Sequence, residues 1–231
     1  MGVLSTKNLA VVRTSLSESV YGHLVDAIMS GELPSGTPLT VADLAMDLKV
    51  SPSPVRDALS RLAAEGLAST GANRRLTVAR YSRAEVEELF QVRELLECGA
   101  ARLAAGRITP AQVAQLRWAA DRCHALHRDP AQKRATLERD HDFHLKIAEM
   151  AGNTLLTQEI ERLSRRVRVM QWLELPSAAL EEAYPEHLEI IGALEKRDPD
   201  RAEAVVRDHI RTAIRHQLEG LQSRPSAPPG S

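Results

Sequence analysis

The chain has 231 residues, 43% of them hydrophobic and only 3% aromatic, with a formal net charge of −1. That length has room for a small domain and a larger one, each with its own core, and the aromatic-poor composition reads as alanine- and leucine-rich helix bundle, not β-sandwich. No apolar run approaches membrane-spanning length, residues 1–15 lack a convincing signal-peptide pattern, and the distant Cys98 and Cys123 make no disulfide framework, so a soluble protein of the reducing cytoplasm is expected.

In chain order, Ser15 with Glu18 has capping-box spacing and opens a helix with Val20, Leu24 and Ile28 on one face, ending at Gly31. A Leu33-Pro34-Ser35-Gly36 turn follows. Residues 40–67 then read as two short helices joined by a tight turn. Thr40 with Asp43 starts the first, with Leu44, Ala45 and Leu48 as its stripe. Lys49-Val50 makes the turn, Ser51 is a good N-cap, and Pro52 suits the first helical position, where no backbone N–H is needed. Val55, Leu59 and Leu62 share the buried face of the second helix, and Ser53, Arg56, Asp57, Ser60 and Arg61 lie opposite. Gly66 ends it in a left-handed conformation. Such a pair has the shape of a helix-turn-helix with a recognition helix for the major groove. Residues 67–79 add two short runs around Gly71-Ala72-Asn73, a β-hairpin wing tipped by Arg74 and Arg75.

Val-Ser-x-x-Pro-Val-Arg-x-Ala-Leu at 50–59 resembles the DNA-binding domain of GntR-type bacterial transcriptional regulators, and the likeness extends over 18–78. The resemblance implies that Arg56 contacts DNA and that the wing reaches an adjacent groove or phosphate. Family members usually carry an arginine directly after the serine, where this chain has Pro52. The missing contact is expected from Arg61 or from the Arg74-Arg75 pair, with Ser51 and Ser53 beside Arg56 on the DNA-facing surface. The near-neutral total charge is no obstacle, because phosphate attraction needs only a local basic patch. Residues 56–80 hold Arg56, Arg61, Arg74, Arg75 and Arg80 against Asp57 and Glu65.

The expected organisation is a winged helix-turn-helix over 12–79, an all-α domain over 82–222 and a disordered proline-rich tail over 223–231. Ser82 with Glu85 is another capping box, opening a helix to about Gly106 with Val86, Leu89, Leu96, Ala100 and Leu103 as its stripe and Arg93 and Glu97 breaking it. Further helices are predicted at about 110–127, 133–151, 154–174, 178–196 (broken near Pro185) and 199–222.

Asp140 and His144 sit four apart on one helical face with Ile147, Ala148 and Ala151. His187 shares a face with Ile191 and Leu194, and His209 with Val205 and Ala213. Three histidines and an aspartate thus point inward from three helices. Left unpartnered, each would cost roughly 1–3 kcal/mol. A divalent metal satisfies all four, and imidazole with carboxylate suits zinc, nickel or manganese. Asp-x-x-Phe-His at 140–144, Glu-His-Leu-x-Ile-x-x-Ala-Leu at 186–194 and Asp-His-Ile at 208–210 resemble the effector (FCD) domain of the FadR-type GntR branch. The family's ligand positions fall on Asp140, His144, His187 and His209. His141 points about 100° away from Asp140, towards a surface or interface.

Open positions on such an ion suit a small carboxylate, and the resemblance implies the same. Arg93 is either a second anchor for that carboxylate or the ion-pair partner of Glu97 one turn on. Asn153 and Arg166 or Arg168 are further candidates for the cavity wall, whereas Met170 and Trp172 read as packing. The resulting expectation is a homodimeric, ligand-responsive DNA-binding regulator, by default a repressor. The rival is a metal-dependent enzyme whose N-terminal domain serves assembly, although Glu186 and Asp142 have the wrong helical phase for a general base.

Overall fold

Side-chain caps and left-handed turns punctuate a mainly α chain in the computed structural model, which describes residues 7–70, 75–126, 129, 132–176 and 179–223. Two units divide between Arg80 and Tyr81. The first holds α1 (Lys7–Ser30), α2 (Val41–Asp47), α3 (Pro52–Ala64), β1 (Ala68–Thr70) and β2 (Leu76–Val78). The helix expected to open at Ser15 already runs from Lys7, so Ser15 is helix interior and no N-cap.

The helix-turn-helix forms as its sequence implies. Thr40 accepts from the Asp43 backbone N–H at 3.4 Å. Lys49 takes a left-handed φ of 53° in the turn, and Gly66 one of 81° after α3. Ser51 has N-cap geometry but makes no side-chain capping bond, and Pro52 starts the helix. Val55, Ala58, Leu59 and Leu62 of α3 are buried along with Val20, Leu24, Val25 and Ile28 of α1. Strands β1 and β2 pair antiparallel with Ser69 opposite Thr77. The segment before α2 joins the wing's edge: Leu39 N–H donates to Leu76 O at 2.8 Å and Val78 N–H to Thr37 O at 2.9 Å.

The second unit is built from α4 (Arg83–Ala105), α5 (Pro110–Leu126), α6 (Lys133–Met150), α7 (Thr154–Glu174), α8 (Ala179–Glu195) and α9 (Pro199–Gln222). Ser82 and Glu85 make both halves of the capping box, at 3.2 and 2.7 Å. Asp198 caps α9 by accepting from Arg201 N–H at 2.9 Å. Pro185 does not break α8, which runs through it. Helix α4 lies along α9, α6 packs between α5 and α7, and α8 packs on α5 and α9. Phe90, Leu116, Phe143, Met170, Ile190, Ile191 and Val206 fill the core. Leu103, assigned to the buried stripe of α4, is instead exposed, because Ala101, Ala104 and Ala105 take the inner face and let α4 approach its neighbours. Among the described residues, no helix is long and apolar enough to cross a membrane. The expected tail lies outside the described residues apart from Ser223.

Candidate metal centre and DNA-facing helix

Helical phase carries four polar side chains into the apolar interior of the second unit. Asp140 and His144 come from α6, His187 from α8 and His209 from α9, and all four are buried. One ring nitrogen from each histidine lies within 4.8 Å of the other two. Asp140 completes the group, with Oδ1 3.2 Å from His187 Nε2 and Oδ2 4.0 Å from His144 Nε2. The four residues singled out in the sequence therefore converge.

A carboxylate stands on the outer side of two of the three rings. His209 Nδ1 is 2.7 Å from Glu186 Oε2, and His144 Nδ1 is 3.0 Å from Glu97 Oε2, an approach that is close but not in line for a hydrogen bond. A carboxylate against Nδ1 favours the proton there and leaves Nε2 as a lone pair. Yet the two Nε2 atoms face each other at 3.1 Å. Two lone pairs at that distance repel unless a proton or cation lies between them. His187 Nε2 is also buried and, although close to Asp140, lacks a hydrogen bond in line. This donor set fits a divalent cation.

Electrostatics agree with neutral His187 and His209 rings beside a charged acid. Burial lowers the His209 imidazole from its ordinary 6.5 to about 4, although Glu186 pulls upward. Burial lowers His187 as well. Burial would raise the Asp140 carboxyl, but the contact with His187 and the neighbouring imidazoles outweigh it and hold the acid well below the usual carboxylate range. Glu97 is held low in the same way, with burial opposed by Arg93 and His144.

Arg93 satisfies one of its two readings outright. Its Nε donates to Glu97 Oε1 at 2.7 Å in a buried pair. The other reading is not displaced, because Arg93 Nη1 is buried without a partner. Arg93 also lines a cavity of about 30 Å³ together with Asp140, Glu186 and His209. Asn153 leaves the effector set. It is exposed, and its side-chain oxygen is occupied in capping α7, accepting from Leu156 N–H at 3.1 Å. His141, expected at a surface or interface, lines a second cavity with Arg93, Asp140 and His144. Glu186, set aside as a general base because of its phase on α8, instead stands against His209, which α9 carries past it from the other side. Asp142 pairs with Arg139 at 3.2 Å on the exterior.

In the first unit, Ser51 and Arg56 are exposed on α3, Ser53 is half-buried, and Arg75 is exposed at the start of β2. Arg56 enters no ion pair among the described residues. Arg61 differs. It reaches Glu18 Oε2 at 2.5 Å and Glu65 Oε1 at 2.9 Å, and lies 3.8 Å over the Tyr21 ring. Its guanidinium is engaged within the unit. Arg74 and the wing turn lie outside the described residues.

A helix-turn-helix with a hairpin wing, followed by a helical unit with a buried polar centre, defines a DNA-binding transcriptional regulator. Residues 16–78 match the model of bacterial regulatory proteins of the gntR family and residues 88–212 match that of the FCD domain, so the chain belongs to the GntR family, in its FCD-bearing branch. It is 30% identical over 187 residues to the Nta operon transcriptional regulator of Aminobacter aminovorans, covering 80% of this chain and 86% of that protein. It is 29% identical over 205 residues to the transcriptional repressor RspR of Escherichia coli K12, covering 84% and 86%. Its fold resembles that of E. coli McbR/YncC (TM-score 0.62, 23% identity, 88% and 97% covered) and of Lar from Listeria monocytogenes (0.60, 17%, 90% and 97%). The two sequence relatives are named as a transcriptional regulator and a transcriptional repressor, and neither supports the enzyme alternative.

Proposed function

We propose that this regulator couples a divalent metal and a small organic acid to operator binding. Residues 82–222 form the sensing domain and residues 12–79 the reading head. Asp140, His144, His187 and His209 would hold zinc, nickel or manganese, and the ion would supply open positions for a carboxylate. The observation that carries this reading is the pair of Nε2 atoms of His144 and His209, 3.1 Å apart with a carboxylate behind each ring. Glu97 and Glu186 orient the rings, and Arg93 fixes Glu97.

On the DNA side, Arg56 reads base edges, Ser51, Ser53 and Arg75 support it, and Arg74 belongs to the same surface by sequence. Two copies are needed to read a two-fold operator with half-sites about 34 Å apart. A second copy is supported by Val92 and Leu95, exposed one turn apart on α4, with Leu103 further along. Binding of an acid shifts the helices that carry the centre and so the spacing of the heads, provided the acid binds one arrangement better than the other. Release of repression in the cytoplasm is the default output.

The experiment is a gel-shift titration of the metal-reconstituted full chain on DNA flanking its own gene, with a panel of small organic acids. The reading predicts retarded complexes that at least one acid shifts to a different protein concentration. Retardation indifferent to every acid and to chelator would contradict it.

A further inference from the structure

The leading end of the recognition helix is apolar and short of donors. Ser51 and Pro52 are exposed at the start of α3, whereas Pro54 is buried in the head. No charged side chain lies between Lys49 and Arg56. Proline has no backbone N–H, so Pro52 and Pro54 remove two of the donors that a helix end ordinarily offers to an acceptor. Arg61, one of the residues expected to supply a contact here, is held inside the head by Glu18, Glu65 and the Tyr21 ring. Starting the helix accounts for a proline at this position, and its exposed ring is then the first surface that α3 brings to the bases. Arg56 follows one turn later on the same edge of the helix.

We infer that Pro52 is a specificity-determining residue, whose ring packs on the C5-methyl group of a thymine beside the base that Arg56 reads. This rests on the reading that α3 lies in the major groove. The thymine methyl is the apolar group presented there, and the other bases show acceptors or amino donors. A donorless ring pressed on one of those would take its water away and return no hydrogen bond. The ring has no side-chain rotamers to lose, so the contact costs little conformational freedom. One helical turn rises about 5.4 Å and one base-pair step about 3.4 Å, which puts the thymine one or two base pairs from the base under Arg56.

The test is selection of bound duplexes from a random pool by the full chain, in wild type, Pro52→Arg, Pro52→Gly and Arg56→Ala. The selected duplex is then titrated with each fixed thymine replaced in turn by uracil, which removes only the methyl group. Wild type should fix a thymine within two base pairs of a guanine, and uracil there should weaken binding about threefold to fivefold per half-site, as one buried methyl group implies. Pro52→Gly should bind the thymine and uracil duplexes alike. Pro52→Arg should select guanine where wild type selects thymine and keep the rest of the motif. Should the arginine variant fail to fold, Pro52→Gly carries the test. Indifference of wild type to every methyl group, a methyl preference that survives in Pro52→Gly, or a Pro52→Arg motif identical to that of wild type would overturn the inference. In each of those cases, a motif that disappears in Arg56→Ala keeps α3 as the reading helix. A wild type that selects no motif, or a motif that Arg56→Ala leaves unchanged, would overturn both.

Discussion

Glu18 of α1 reaches across to Arg61 of α3 at 2.5 Å, and Glu65 holds the same guanidinium from within α3 at 2.9 Å. Two carboxylates and the Tyr21 ring therefore fix the recognition helix to the first helix through an arginine that lies on its polar face. Arg56, five residues earlier, has no such duty.

The two arginines should accordingly fail differently. Arg56→Ala is predicted to abolish operator retardation with an unchanged melting temperature. Arg61→Ala is predicted to lower the melting temperature of the head while leaving operator binding measurable well below it. Equal loss of DNA binding in two equally stable variants would return Arg61 to the DNA contact.

Glu97 sits between Arg93 and His144, so Glu97→Ala strands a buried guanidinium and frees a ligand ring. Loss of one partner of a buried pair costs about 3–5 kcal/mol, and loss of a group that orients a metal ligand weakens the metal by about 10–100-fold. Urea unfolding and zinc competition should report both losses together. Unchanged zinc affinity would show that Glu97 serves Arg93 alone.

The metal-free protein should lose stability in acid over a defined window. Burial lowers His209 from 6.5 to about 4, so between those values the unfolded ring takes up a proton that the folded ring refuses. Stability is therefore flat above about pH 6.5 and falls as pH drops towards about 4, by on the order of 3 kcal/mol for this group. Asp140 and Glu97, both held low, extend the loss further into acid. Chemical unfolding of chelator-treated protein from about pH 7 to about pH 4 checks this. A level profile there would mean that His209 is not shielded.

Leu95 is 76% exposed on α4, with Val92 one turn before it. If this face joins two copies, Leu95→Glu should turn a dimer into a monomer by light scattering and weaken operator binding in parallel. A dimer unaffected by the change would move the interface elsewhere.

Local signals were the most legible. Capping at Thr40, Ser82 and Asp198, the left-handed turn at Gly66 and the pairing of 68–70 with 76–78 are set by neighbours in sequence, and the structure forms each of them. The inward faces of α6, α8 and α9 were legible too, because an apolar stripe fixes helical phase. Three things were not. Ser15 and Glu18 have capping-box spacing, but α1 begins earlier and Glu18 serves a tertiary pair instead. Asn153 is used up by its own helix end. Glu186 supports a ring on another helix, and phase along α8 cannot reveal where α9 will bring His209.

Metal content is the most direct measure of the central claim. The full chain, incubated with zinc and dialysed, should retain about one ion per protomer, held by the four histidine and aspartate side chains with further positions open, and should melt at a higher temperature than its chelator-treated form. His144→Ala with His187→Ala should retain none and show no such rise. A wild type that keeps no metal, or a double variant that keeps a full equivalent, would contradict the account.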